Sequence, residues 1–145
     1  MPLHLLKLSV GAESVDDLKG WIKKRVAERK KRGESGHHTH ITRMVPKRDA
    51  EILDGGSIYW VIKGQIMCRE VIRGIEPFRD KEGINRCRLL MTPKVILVEP
   101  RPFRAFQGWR YLEDKDTPRD LEKMAPGAKN MPEELRRELR GLGLL

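Results

Sequence analysis

The segment Ser57 to Lys63 carries large apolar side chains at both strand parities: Ile58, Trp60 and Ile62 against Tyr59 and Val61. A strand of that kind must be covered on two sides, which makes it a central strand and not a half-wet edge. Gly64-Gln65 follows where a two-residue hairpin needs positive φ at its first central position. The next run, Ile66 to Ile72, alternates imperfectly, and Gly74 interrupts it as a bulge or sharp bend does. A strand, a tight turn and a bent strand seed a coiled sheet or small barrel, so the rest of the chain must supply layers on both faces.

The flanking segments fit that demand. Leu3 to Ser9 reads as a first strand, and Gly11 turns the chain. Ser14 with Asp17 three positions later resembles a capping box, opening a helix over Val15 to Lys31 with Val15, Leu18, Ile22, Val26 and Trp21 on its buried stripe. Further strands are expected over His37 to Val45, Ile84 to Met91 and Lys94 to Glu99, with one or two helical turns over Lys47 to Leu53. Pro77 to Gly83 reads as a charged loop, Thr117-Pro118 as the start of a short helix, and Pro132 to Arg140 as a final amphipathic helix. At 145 residues the chain reads most simply as one domain. The expected class is α+β: a mixed bent sheet or small barrel, with a long N-terminal helix and short C-terminal helices.

Charge points to the partner. Residues 1–112 hold 23 Lys and Arg against 13 Asp and Glu, or +10, whereas residues 113–145 hold 7 against 8, or −1. Excess positive charge over the sheet-forming part suits a polyanion. The run Lys23 to Arg32 is open to two readings, a solvated face that complements the helix C-terminus or a phosphate-contacting face. No apolar run approaches the roughly 20 residues that span a bilayer, and Met1 to Val10 lacks a signal-peptide layout. A cytoplasmic location is expected, with Cys68 and Cys87 as buried thiols and not a disulfide framework.

His38 and His40 share a strand face at a spacing that two ligands of one metal can use. A closed zinc site needs two more ligands, and neither cysteine has a Cys-x-x-Cys partner, so no metal and no cofactor are expected. His40-Ile41-Thr42 matches one His-x-Thr unit of two-histidine phosphoesterases, but the second unit is missing. Phosphate-loop, dinucleotide and serine-hydrolase motifs are absent. The basic-aromatic segment is stronger. Phe103, Phe106, Trp109 and Tyr111 are interspersed with Arg104 and Arg110, and single strands are held by rings that stack bases and cations that follow phosphates. The alternative for these rings is a place in the core.

Thr39-His40-Ile41-Thr42-Arg43 and Asp54-Gly55-Gly56-Ser57-Ile58-Tyr59-Trp60-Val61, with the alternating strands after them, resemble ASCH domains of the PUA-like superfamily across residues 37–112. That resemblance implies a small barrel with an RNA-binding cleft; some members are amidohydrolases of modified nucleosides that use a Lys, a Thr and a Glu. Thr42 or Thr39 would stand for the Thr and Arg43 for a nearby Arg, while no lysine occurs from Gly33 to Pro46 to stand for the Lys. From His40 through Leu121, notably residues 55–64 and 104–112, the chain also resembles an uncharacterised family of short basic bacterial proteins, which implies no chemistry.

The expected function is binding of RNA or another phosphate-rich single strand by a basic, aromatic-bearing groove. Arg43, Lys47, Lys63, Arg69, Arg104 and Arg110 are its candidate phosphate contacts, Gln107 a base-edge reader, and Trp109 or Tyr111 the stacking platform. The alternatives are a small enzyme acting on a nucleoside or nucleotide, in which His40 or Thr42 meets a carboxylate such as Glu51, Glu70 or Glu76, and a protein-interaction module.

Overall fold

A computed structural model describes residues 2–124 and Glu133. The elements in chain order are β1 (Leu3–Leu8), α1 (Val15–Lys31), β2 (His38–Thr42), α2 (Asp49–Leu53), β3 (Ser57–Ile62), β4 (Gln65–Arg79), β5 (Asn85–Met91), β6 (Ile96–Pro102), β7 (Trp109–Glu113), a 3-10 turn (Asp114–Asp116) and α3 (Leu121–Met124). The fold is α+β: a mixed seven-stranded sheet that does not close, ordered β2-β5-β4-β3-β1-β7, with β6 pairing β4 off that path. The expected bent sheet is present. The final helix expected over Pro132 to Arg140 lies, apart from Glu133, outside the described residues.

β3 occupies the centre as its two apolar faces demand, parallel to β1 on one side and antiparallel to β4 on the other. Every residue of β3 is buried. The α1 stripe of Val15, Leu18, Ile22 and Val26 covers one face together with Leu5, Ile58, Trp60 and Ile62. The opposite face buries Leu6, Tyr59, Val61, Ile66 and Val98 beneath Phe103 and Phe106. Ser14 caps α1 by accepting from the Asp17 N–H at 3.1 Å, while the Asp17 carboxylate reaches back to the Glu13 N–H at 3.0 Å. The Glu133 carboxylate accepts the Val15 N–H at 2.6 Å, which satisfies another free donor of the helix start.

β4 is the organising strand. Its first half pairs with β3 and β6, and its second half pairs with β5. The register shift between Ile72 and Gly74 is the bulge expected at Gly74. Several sequence expectations are corrected here. The β3–β4 turn is Lys63-Gly64 and not Gly64-Gln65, with φ of 49° and 75°. Positive φ at both central residues is the type I′ turn, which matches the right-handed twist of the flanking strands. Pro77 and Phe78 are not loop but part of β4, opposite Cys87 and Arg86. This half of β4 has a ladder only to β5, so a residue without an N–H is tolerated. Ile96–Pro102 replaces the strand expected from Lys94, because β4 supplies partners as far as Pro102. Thr117 ends the 3-10 turn instead of opening a helix; its hydroxyl donates to the Asp114 carbonyl at 2.8 Å.

The open sheet is stitched across its gap by side chains. The Trp109 Nε1–H donates to the Met44 carbonyl at 2.9 Å, and Tyr111 Oη accepts the Lys47 and Arg48 N–H groups at 3.0 and 3.2 Å. The segment after edge strand β2 is thereby tied to edge strand β7.

Gly56 sits where only a hydrogen fits: a Cβ there meets the Leu3 carbonyl oxygen and, at 2.5 Å, that of Ile52. Gly56→Ala must therefore part α2 from β1, with an expected destabilisation of about 3 kcal/mol. Urea unfolding checks it, and a midpoint equal to that of the unmodified chain would contradict this packing.

Candidate functional site: a histidine–glutamate interior and a lysine-lined groove

Glu70 lies on β4 between the end of the β6 ladder at Arg69 and the start of the β5 ladder at Ile72. It is fully buried on the face that α1 covers. The Trp60 Nε1–H donates to its Oε1 at 3.0 Å, and His38 Nδ1 lies 3.1 and 3.0 Å from its two oxygens. A proton on His38 Nδ1 satisfies that contact, and in the neutral ring this tautomer leaves the lone pair on Nε2. That Nε2 is buried and has no hydrogen-bond partner. A carboxylate that orients an imidazole with its far nitrogen unpartnered is the arrangement a general base requires.

His40 stands one pleat along β2, its ring edge-on to Trp60 at 5.4 Å between centroids, and its Nε2 is likewise buried without a partner. Burial first, and then the charges of Lys7, His38 and Arg25, hold its pKa down to about 4. Lys7 on β1 lies opposite Trp60 on one side and Trp109 on the other, and burial lowers its pKa as well. Sequence reasoning missed Lys7, whose charge read only as a polar letter inside an apolar strand. It weighed His38 only as one of two histidines spaced for a metal that was not expected, and did not foresee its contact with Glu70.

The other catalytic candidates disperse. Thr42 is buried opposite Cys87, whose thiol pKa burial pushes up. Glu51 accepts two hydrogen bonds from the Arg48 guanidinium at 2.6 and 2.8 Å, and Glu76 faces Arg88 at 3.6 Å, both away from the interior.

The candidate nucleic-acid residues occupy separate places. Trp109 and Tyr111, with ring centroids 4.9 Å apart, stand on the α1 face of β7 and hold the Met44–Arg48 segment. Arg110 is on the opposite face, its guanidinium 4.6 Å from the Phe106 ring. Arg104 and Gln107 are exposed beside it in sequence, and Lys63 is exposed in the β3–β4 turn. Arg43 and Lys47 are exposed after β2. Arg69 is consumed: its Nε and one terminal nitrogen each donate to Asp120 at 2.9 Å, and the other donates to Ser57 Oγ at 2.7 Å.

A different set of cations comes together on α1. Lys19, Lys23 and Lys30 line a groove of about 440 Å³ whose floor is Ile22, Val26, Ala27, Pro93 and Val95. Helical rotation puts the three lysines within about 40° of one another, over about 16 Å of axis. None has an acidic partner among the described residues, whereas Arg29 and Arg32 both pair with Glu34.

One protein-family model, described as a protein of unknown function (DUF1489), matches residues 5–145. No curated protein and no solved structure matches the chain.

Two outcomes test the interior. Glu70→Ala strands the Trp60 donor and the His38 ring, so it is expected to cost about 3 kcal/mol in urea unfolding, and Glu70→Gln, which keeps an acceptor, less. An unfolding midpoint unchanged in both variants contradicts the assignment. His40 is neutral in the folded state down to about pH 4 and protonates near 6.5 once unfolded. The unfolded chain thus binds the extra proton, and stability falls as pH drops through that window. His40→Gln should flatten this part of the stability profile; a profile that keeps its slope would remove His40 as its source.

Proposed function

The chain belongs to the DUF1489 family of unknown function, and we propose that it binds a phosphate-rich single strand, RNA being the leading case, in the groove beside α1. The observation that carries this reading is the stripe of Lys19, Lys23 and Lys30, without acidic partners among the described residues, over an apolar floor. Lysines beside an apolar trough suit a strand whose phosphates meet ammonium groups while sugars and base faces lie on Ile22, Val26, Pro93 and Val95. The positive balance of residues 1–112 supports the same partner, as does the ASCH resemblance, whose members bind RNA in a cleft beside the sheet. Arg104, Gln107 and Arg110 form a second exposed patch that a longer strand would reach.

Fluorescence anisotropy with labelled single-stranded RNA, duplex RNA and single-stranded DNA at two salt concentrations tests this. Binding is expected to weaken steeply with salt. The triple variant Lys19→Gln, Lys23→Gln, Lys30→Gln should reduce the logarithmic salt slope by about 2, since each single-strand phosphate contact contributes about 0.7. Arg104→Gln with Arg110→Gln reports separately on the second patch. Binding that ignores salt, or a triple variant that keeps both affinity and slope, would sink the reading.

A further inference from the structure

We propose that a pocket of about 300 Å³ at one end of the sheet binds a guanine base between the Asp114 carboxylate and the Arg119 guanidinium. His4, Tyr59, Arg69, Asp114, Arg119 and Asp120 all line it. Tyr59 belongs to the second core, so the pocket lies on the face opposite α1 and does not rest on the lysine groove. Its buried side is fixed by hydrogen bonds. The Ser57 N–H donates to His4 Nδ1 at 3.0 Å, which makes that nitrogen an acceptor and puts the ring proton on Nε2. Nε2–H then donates to Asp114 Oδ1 at 2.8 Å. A neutral imidazole thus orients the carboxylate without cancelling its charge, and no Lys or Arg pairs with Asp114 among the described residues.

The other wall belongs to different strands. Arg69 donates to both oxygens of Asp120 at 2.9 Å and to Ser57 Oγ at 2.7 Å. Asp120 also bridges to Val98 of β6, and the Arg119 carbonyl accepts the Glu99 N–H at 2.8 Å. Asp114 is therefore tied to β1, and Arg119 to the side of β4 and β6. With β3 between β1 and β4, the two anchors stand two strand spacings apart, roughly 10 Å. Arg119 is exposed and joins no ion pair among the described residues. Opposite charges line one pocket, held apart by the strands that anchor them.

A carboxylate only accepts and a guanidinium only donates, so the occupant must turn donors to one and acceptors to the other. Guanine carries N1–H and an amino group side by side, and on its next edge O6 and N7, the pair a guanidinium takes in two parallel bonds. Adenine, cytosine and uracil have no two adjacent donor groups. Pro2, Gly55 and Pro118 complete the lining without charge, which suits the faces of a flat ring.

Isothermal titration calorimetry tests this with the 5′-monophosphates of guanosine, inosine, adenosine, cytidine and uridine at one ionic strength, since these share the phosphate and differ in the base. Guanosine monophosphate is expected to bind saturably in the millimolar range or tighter. Inosine monophosphate lacks the amino donor and should bind about tenfold more weakly, and the other three more weakly still. Asp114→Asn and Arg119→Gln should each weaken guanosine monophosphate by about tenfold, the loss of a charge-assisted bond. Arg119 is exposed, so its variant reports on binding where the Asp114 variant disturbs the His4 contact. The triple lysine variant of the groove should leave this binding intact, which separates failure of this site from failure of the groove. An oligouridine with a single internal guanosine that outbinds plain oligouridine, by a margin lost in Arg119→Gln, identifies the source as a strand. No such margin, with guanosine monophosphate still bound, identifies a free nucleotide. Equal binding of guanosine and adenosine monophosphates, or guanosine monophosphate binding that survives the Asp114→Asn, Arg119→Gln double variant, overturns the proposal.

Discussion

Glu70 is the point on which three strands agree. It lies in the short interval of β4 between two ladders, and it spans that interval with side-chain bonds to Trp60 of β3 and His38 of β2. A bent strand that changes partners halfway needs some interaction to fix the angle between its halves. Backbone pairing alone leaves that angle to the bulge at Arg73-Gly74. A buried carboxylate with two donors from different directions removes the freedom, because rotating either half strands a polar atom away from water. The same carboxylate sets the ring of His38 and, through Trp60, the wall against which His40 stands. The fold and the unusual chemistry of the interior therefore share one origin.

The surface follows a different logic, in which arginine and lysine divide the work. Arg29, Arg32, Arg48, Arg69, Arg86 and Arg88 take up carboxylates, whereas Lys115 alone among the lysines joins an ion pair within the described residues. A planar guanidinium matches a carboxylate with two parallel bonds, as Arg69 does with Asp120, and a compact ammonium cannot. Net charge read from sequence treats both residues alike. Structural pairing takes up a large share of the arginines and almost none of the lysines, and three of those lysines share one flank of α1.

Local signals in the sequence were enough for much of the fold. Apolar side chains on both faces of Ser57–Ile62 specified a central strand; Ser14 and the stripe from Val15 to Val26 specified α1; Gly74 marked the bulge. Each of these depends on neighbours a few residues away. Pro77 misled because a proline signals a break unless the strand has a free side, which only the sheet order reveals. The site was harder for the same reason. His38 meets Glu70 across 32 positions, and Arg69 meets Asp120 across 51, so one residue gained a role and another lost one through partners that no spacing rule connects. Phe103 and Phe106 went to the second core, and Trp109 and Tyr111 became struts, because an open sheet has edges to cover and large rings cover them.

Those struts give the molecule a seam and not a weld. A barrel closed by a continuous ladder opens all at once or not at all, since each bond in the row holds its neighbours in register. Here the join consists of one indole and one phenol, each grasping a separate point on the passing chain. Such a fastening comes undone stitch by stitch, and the interior behind it is accessible to graded loosening that leaves every strand in place.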